Sequence, residues 1–293
     1  MTDLATATGL TSDYAEVGGG IRLHYVTAGP PDGPLVVLLH GFPEFWYSWR
    51  HQLPVLAGAG FRVLAPDMRG YNLSDKPSGW RSYDTDLLAD DIAGLIGALG
   101  EQQAYLAGHD WGAAVAYATA MRHPAVVRKL AILNVPHTAR MLEGFRTARQ
   151  LRKSWYMFFF QIPRLPEHLL ARDDYSFAKR SLRADSPDAF SDEDLERYVQ
   201  AWSQPGALTA MIDYYRAALR RSPRSTARQL VPIEAPTLVI WGQRDRHLGA
   251  ELADPGPHWA PDRRIEWIPD ATHWVQHDAA EQVSELLMEF FGD

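Results

Sequence analysis

Asp110 carries more implied chemistry than any other residue of this chain. It stands in Gly108-His-Asp110-Trp-Gly112, after an apolar stretch from Gln103 to Ala107 and before an alanine-rich stretch from Ala113 to about Arg122. The first reads as a strand and the second as a helix, so a glycine-flanked turn must join them. Glycine on either side lets the backbone bend sharply with no Cβ in the way. The apex side chain is then presented at the helix N-terminus, where peptide dipoles favour a negative charge. A serine in this place would need a base before attacking a carbonyl. An aspartate is already ionised and suits displacement at a saturated carbon, as in an epoxide or an alkyl halide. The product would be an alkyl ester of the protein, which water must then cleave.

Cleavage calls for a base. His273, in Asp270-Ala-Thr-His273-Trp274, falls between the last apolar strand pattern and the last amphipathic helix. Its place in the order nucleophile, acid, histidine favours it over His277, near the start of that helix, and over His109, which flanks the apex and should point away from the pocket. The acid that orients the imidazole is expected after a strand, and Asp245, following Leu238-Val-Ile-Trp-Gly-Gln-Arg, fits. Asp270 is a rival in the same loop as His273, where it better suits shaping a turn. An oxyanion formed during ester cleavage needs two backbone N–H donors. Trp111, the residue after the apex, and Phe42, in His40-Gly-Phe-Pro43, are the expected pair. The Phe42-Pro43 bond is expected to be cis.

These loops need a scaffold. Alternating patterns at Tyr14–Glu16 and Ile21–Thr27 read as opening strands. Leu35–Leu39 is a continuous apolar run, as in a strand buried on both faces. A helix is expected over Ser48–Ala57, a strand over Phe61–Ala65, a helix over Thr85–Leu99 and a strand over Val127–Leu133. This alternation implies an α/β fold, a mostly parallel sheet with helices on both faces. From Thr138 to Arg228 no buried strand pattern occurs, and helical periodicity rich in Arg and aromatic residues takes over. The sheet resumes at Pro236–Trp241 and Arg264–Ile268, and a helix over Ala279–Phe291 closes the chain. The implied division is a core in two parts, 1–137 and 229–293, with a helical cap over 138–228. Such a cap would hang over the carboxyl ends of the strands, where open α/β sheets bind ligands.

Composition narrows the function further. The 293 residues are 46% hydrophobic, enough for a large core, and carry a formal net charge of -7 with Lys and Arg scattered, which argues against a nucleic-acid partner. The absence of cysteine excludes disulfides, thiol catalysis and thiolate metal sites. No run approaches the roughly 20 apolar residues of a membrane span, and Met1–Thr11 lacks the pattern of a signal peptide. A cytoplasmic protein without a membrane partner is the expectation, as monomer or homodimer. Ten tryptophans exceed the usual share, and core packing explains most of them.

The residues His40-Gly-Phe-Pro43, Gly108-His-Asp-Trp-Gly112, Asp245 and His273 together resemble the α/β-hydrolase-fold epoxide hydrolases, over the chain from about Tyr14 to Phe291. The loop Asp67-Met-Arg-Gly-Tyr-Asn72-Leu-Ser74 shares the likeness, with Asn72 where a second glycine is common. Asn tolerates left-handed geometry nearly as well. The resemblance implies two cap tyrosines that donate to the epoxide oxygen. Tyr156, in Trp155-Tyr-Met-Phe-Phe-Phe160, and Tyr215, directly before Arg216, occupy the matching segments, with Tyr214 as the alternative if the register shifts by one. A phenol is a far stronger acid than an aliphatic alcohol, so protonating the leaving oxygen is downhill. Substrate contacts are expected from Phe42, Trp111, Trp155, Tyr156, Tyr215 and Trp274, with Trp46 and Phe158–Phe160 as further candidates for an apolar pocket. The implied partner is a small apolar epoxide and water, with no cofactor and no metal. Haloalkane dehalogenases share the Asp and His but typically add a side-chain donor for the halide, and Phe42 offers none. A fluoroacetate dehalogenase would need Arg where Trp111 stands. A non-catalytic binder of the same fold would not need nucleophile, acid and base together.

Overall fold

The structure is a computed structural model that describes residues 10–293. Most of the Met1–Thr11 segment therefore lies outside the described residues. Eight strands form one sheet: β1 Thr11–Gly18, β2 Ile21–Ala28, β3 Leu35–Leu39, β4 Arg62–Pro66, β5 Ala104–His109, β6 Val127–Leu133, β7 Thr237–Gly242 and β8 Arg263–Ile268. Their spatial order is β1-β2-β4-β3-β5-β6-β7-β8. β1 and β2 are antiparallel to their neighbours, and every pairing from β4 to β8 is parallel. All residues of β3, β5 and β7 are buried, as their unbroken apolar runs require for strands covered on both faces.

Helices α1 Gln52–Gly58, α2 Thr85–Ala98 and α3 Trp111–Arg122 alternate with the first strands. Seven helices lie between β6 and β7: α4 Thr138–Gly144, α5 Ala148–Lys153, α6 Trp155–Phe159, α7 Leu165–Asp185, α8 Asp192–Trp202, α9 Ala207–Arg220 and α10 Pro223–Gln229. No strand occurs among them. α7 is kinked at Arg172–Tyr175, where Asp173, Asp174 and Tyr175 take left-handed backbone angles. α11 Val275–Asp278 and α12 Ala280–Gly292 complete the chain. Against the sheet the helices form two groups, α2 with α3 and α1 with α12.

One element departs from expectation. In place of one helix over Ser48–Ala57, a short 3-10 turn at Trp46–Trp49 precedes α1. Pro54 sits in the first turn of α1, where its missing N–H costs nothing; a helix begun at Ser48 would place it inside, against the carbonyl of Arg50. The helix expected over Ala279–Phe291 is present as α12, and the short α11 precedes it, separated by Ala279 (φ -129°, ψ 48°).

The topology fixes where a site can form. From β3 the chain moves to β4 on one side, then returns to β5 on the other. The loops after β3 and β5 thus diverge above adjacent strand ends and leave a crevice. The helical segment is fastened to the neighbouring loops after β4 and β8. The Tyr214 hydroxyl donates to the Arg69 carbonyl (2.7 Å) and the Ser186 hydroxyl meets that of Thr272 (2.7 Å).

Candidate active site

Asp110 occupies the apex between β5 and α3 with φ 49° and ψ -124°, a conformation a non-glycine residue adopts only under tight constraint. Its carbonyl accepts from the Ala113 and Ala114 amides, so the first turn of α3 holds the apex. The constraint is visible at the flanking glycines. A Cβ on Gly108 would collide with the Gly112 backbone, and one on Gly112 with the end of β3. Close contact between the two loops is what requires glycine here.

The Phe42 amide, carried by the loop after β3, donates to Asp110 Oδ1 at 2.7 Å. The Phe42-Pro43 bond is cis. The other oxygen, Oδ2, lies 3.5 Å from His273 Nε2. On the far side of the ring, His273 Nδ1 meets Asp245 Oδ2 at 2.8 Å. Asp245 is held in turn: its Oδ1 accepts from the His247 and Leu248 amides (2.7 and 2.8 Å), and Oδ2 accepts from Asn134 Nδ2 (2.9 Å). Asn134, just past β6, also receives the Gly242 amide at 2.7 Å and so ties the acid to the sheet.

Charge follows from this geometry. Burial alone would raise the Asp245 pKa, but His273 and the surrounding donors hold it at about 2. Burial likewise opposes a charged His273, yet the carboxylates of Asp245 and Asp110 outweigh it and push the imidazole up to about 10. Asp110, buried but facing His273 and the Phe42 amide, is shifted down. These shifts all favour an imidazolium between two carboxylates in the resting site.

Two cavities meet at Asp110. One, of about 600 Å³, extends past Trp111, Met141, Phe145 and Leu219. The other, of about 150 Å³, is bounded by Phe42, Phe160, Leu182, His247, His273 and Trp274. Asp110, Tyr156 and Tyr215 line both. The two phenol rings are 5.8 Å apart, edge to face. Burial, then the nearby Asp110 carboxylate, raises the pKa of each above its ordinary value. The Trp111 indole is the polar neighbour of Tyr215. Tyr214, bonded to the Arg69 carbonyl and buried, is not among the lining residues, so the tyrosine that faces Asp110 is Tyr215.

Other candidates fall out plainly. Trp274 is buried against the smaller cavity, and Trp155 borders it while remaining 58% exposed. Phe159 and Phe160 line that cavity, whereas Phe158 faces outward and Trp46 packs in the core. Phe158 follows Trp155 by three residues on α6, which places it on the same outer face. Asp270 pairs with Arg244 at the surface. Asn72 has φ 38° and donates to Asp67 Oδ2 at 2.8 Å, so it meets the left-handed requirement of its loop.

His109 and His277 belong to a buried network behind the site that the sequence did not reveal. At its centre is Glu44, the residue after Pro43. It accepts from Tyr198 (2.7 Å), His277 Nε2 (2.7 Å) and Gln276 (3.0 Å). Burial opposes its charge, but His277 and His109 hold it well below the usual carboxylate range. His109 Nδ1 lies 3.3 Å from Glu44, and its Nε2 donates to the His273 carbonyl at 2.8 Å. The network thus braces the loop that carries His273. Its only sequence signal is a Glu that continues the His-Gly-Phe-Pro run. A second missed group is His247, whose Nε2 meets Asp185 at 2.6 Å and whose ring stands edge-on to His273 and Tyr156.

Comparison with known proteins agrees with this architecture. The profile of the α/β hydrolase fold family matches residues 34–280. AB hydrolase superfamily protein YfhM of Bacillus subtilis is 44% identical over 92% of this chain and 94% of its own. Mouse epoxide hydrolase 4 is 38% identical over 94% of this chain and 77% of its own. A crystal structure of Bacillus megaterium epoxide hydrolase with an inhibitor superposes with a TM-score of 0.86 at 32% identity, covering 96% of this chain and 100% of that one. With the turn at Asp110, the Asp245–His273 pair and these matches over nearly its whole length, the chain belongs to the α/β-hydrolase-fold epoxide hydrolases.

Proposed function

We propose that the protein hydrolyses epoxides to vicinal diols through an alkyl ester on Asp110. The observation that carries this reading is the meeting of Asp110, Tyr156 and Tyr215 at the junction of both cavities. A nucleophile faces two acids there, with space on either side for the arms of a substrate. The helical segment serves as a cap that brings the phenols over the strand ends.

In the first step Asp110 Oδ2 attacks one ring carbon, the C–O bond of the epoxide breaks, and a tyrosine gives its proton to the departing oxygen. Esterification removes the Asp110 charge. His273 then keeps one carboxylate neighbour instead of two, its pKa falls, and the proton it releases balances the phenolate. The neutral imidazole, oriented by Asp245, takes a proton from water as the water attacks the ester carbon. The Phe42 and Trp111 amides hold the resulting oxyanion. The intermediate collapses with cleavage of the bond between the carboxyl carbon and the diol oxygen. That oxygen takes the proton of the added hydroxyl, and the diol leaves with Asp110 and the imidazolium restored. One water is consumed and the proton count closes within the site, with no cofactor or metal in the scheme.

Product analysis on the purified protein tests the reading. With styrene oxide and 1-bromobutane offered separately, diol from the first without bromide from the second is expected. Bromide release without diol would move the chain to dehalogenation and reduce the two tyrosines to packing residues.

A further inference from the structure

The cations that look scattered along the sequence gather on one part of the helical segment. Residues 138–184 hold ten Lys and Arg against four Asp and Glu, in a chain with 29 and 36. All four acids are engaged: Glu143 by Arg140, Glu167 by Arg216, Asp173 by Arg172 and Asp174 by Lys179. Arg146, Arg152, Arg164 and Arg180 are exposed and have no carboxylate partner among the described residues. The same stretch concentrates exposed apolar side chains. Of the fourteen large ones that the described residues expose, eight lie between Leu142 and Phe177. Trp155, Phe158 and Phe177 are each about half exposed, at 58, 48 and 49%. These groups are linked: Phe158 packs on Phe145, which lines the larger cavity, while Trp155 and Phe177 both border the smaller one.

We propose that this exposed part of the segment from Leu142 to Arg180 rests on an anionic lipid surface. Apolar and aromatic side chains would enter the interface while the free arginines meet lipid phosphates. No span is needed, and no helix of the described residues is long and apolar enough to cross a membrane. Charge complementarity selects this occupant over a second copy of the chain. A twofold dimer through the same face would bring four unpaired arginines against their own equivalents. The placement also has a chemical logic, since apolar molecules dissolved in lipid would meet a surface whose side chains line both cavities. The proposal stands independently of the reaction assigned above, because its readout is binding.

Flotation of the full chain with vesicles of phosphatidylcholine, alone or mixed with phosphatidylglycerol, is the test. Co-flotation with the mixed vesicles, absent with phosphatidylcholine alone and lost near 0.5 M salt, where screening is within about 5 Å, is expected. Replacing Arg146, Arg152 and Arg164 together by Glu should weaken partition by about 100-fold or more. Phe158→Ser with Ile162→Ser should weaken it at low salt, and circular dichroism checks that each variant is folded. A wild-type chain that stays unbound with both vesicle types would overturn the proposal. So would a concentration-dependent dimer in sedimentation that Phe158→Ser with Ile162→Ser dissociates, which would assign the face to a second copy.

Discussion

The Phe42 amide and Asp110 Oδ1, 2.7 Å apart, already form the contact that ester cleavage would need. The hydrogen bond divides the carboxylate into two unlike oxygens. Oδ1 is held by the loop after β3, and Oδ2 faces His273 at 3.5 Å. In the proposed mechanism the free oxygen attacks, and the held one becomes the ester carbonyl and then the oxyanion. No donor has to move between the steps, which is the economy of a preorganised site.

Removing the Asp110 charge should release the His273 proton more readily. With Asp245 and Asp110 beside it, His273 titrates at about 10, above the ordinary 6.5. A raised pKa of this kind stabilises the fold fully below about pH 6.5, and the contribution is lost as pH rises through the folded value. In Asp110→Asn only Asp245 remains. The His273 titration, followed by NMR of labelled imidazole, should move clearly below that of the wild type, and the alkaline loss of stability should begin at lower pH. An unchanged titration would show that Asp110 does not hold the proton.

Glu44 should matter for stability as well as for the site. Glu44→Ala leaves the Tyr198 hydroxyl and the His277 and Gln276 N–H groups buried with no acceptor. A loss of about 3–5 kcal/mol in denaturant unfolding is expected. Glu44→Gln keeps the shape and one acceptor and should cost less. Equal, small effects from both would mean that water replaces the carboxylate.

Tyr156→Phe and Tyr215→Phe should each slow formation of the alkyl ester, and together they should lower it by about 10²–10⁴-fold, the usual worth of a general acid. Rapid-quench measurement of the adduct separates this from ester cleavage. Thermal unfolding should change little, since neither hydroxyl is bonded to a backbone group as Tyr214 is. Full activity in the double variant would mean that another group protonates the oxygen.

The parts of the site legible in the sequence are those set by local geometry. The Gly-x-Asp-x-Gly turn, the buried runs of β3 and β7, and the loops that follow them fix where Asp110, Phe42 and Asp245 sit. Tyr215 could be told from Tyr214 only by likeness to a family, because adjacent residues of α9 differ by 100° in direction and the sequence does not say which face is covered. Glu44, Asn134, His247 and Asp185 stayed hidden for a different reason. Each acts through a partner distant in the chain, such as Glu44 through Gln276 or Asn134 through Asp245. No spacing rule predicts such pairings. The split of the helix near Ser48 was readable, since Pro54 is in plain view.

The measurement that bears most directly on the account is a single turnover in heavy-oxygen water, with protein in excess over styrene oxide. If Asp110 forms the ester, the diol takes its new oxygen from the carboxylate and emerges unlabelled, while the peptide containing Asp110 gains one heavy oxygen. Repeated turnovers then give labelled diol. A labelled diol in the first turnover with an unlabelled Asp110 peptide would mean that water attacks the epoxide directly, and the covalent mechanism would be wrong.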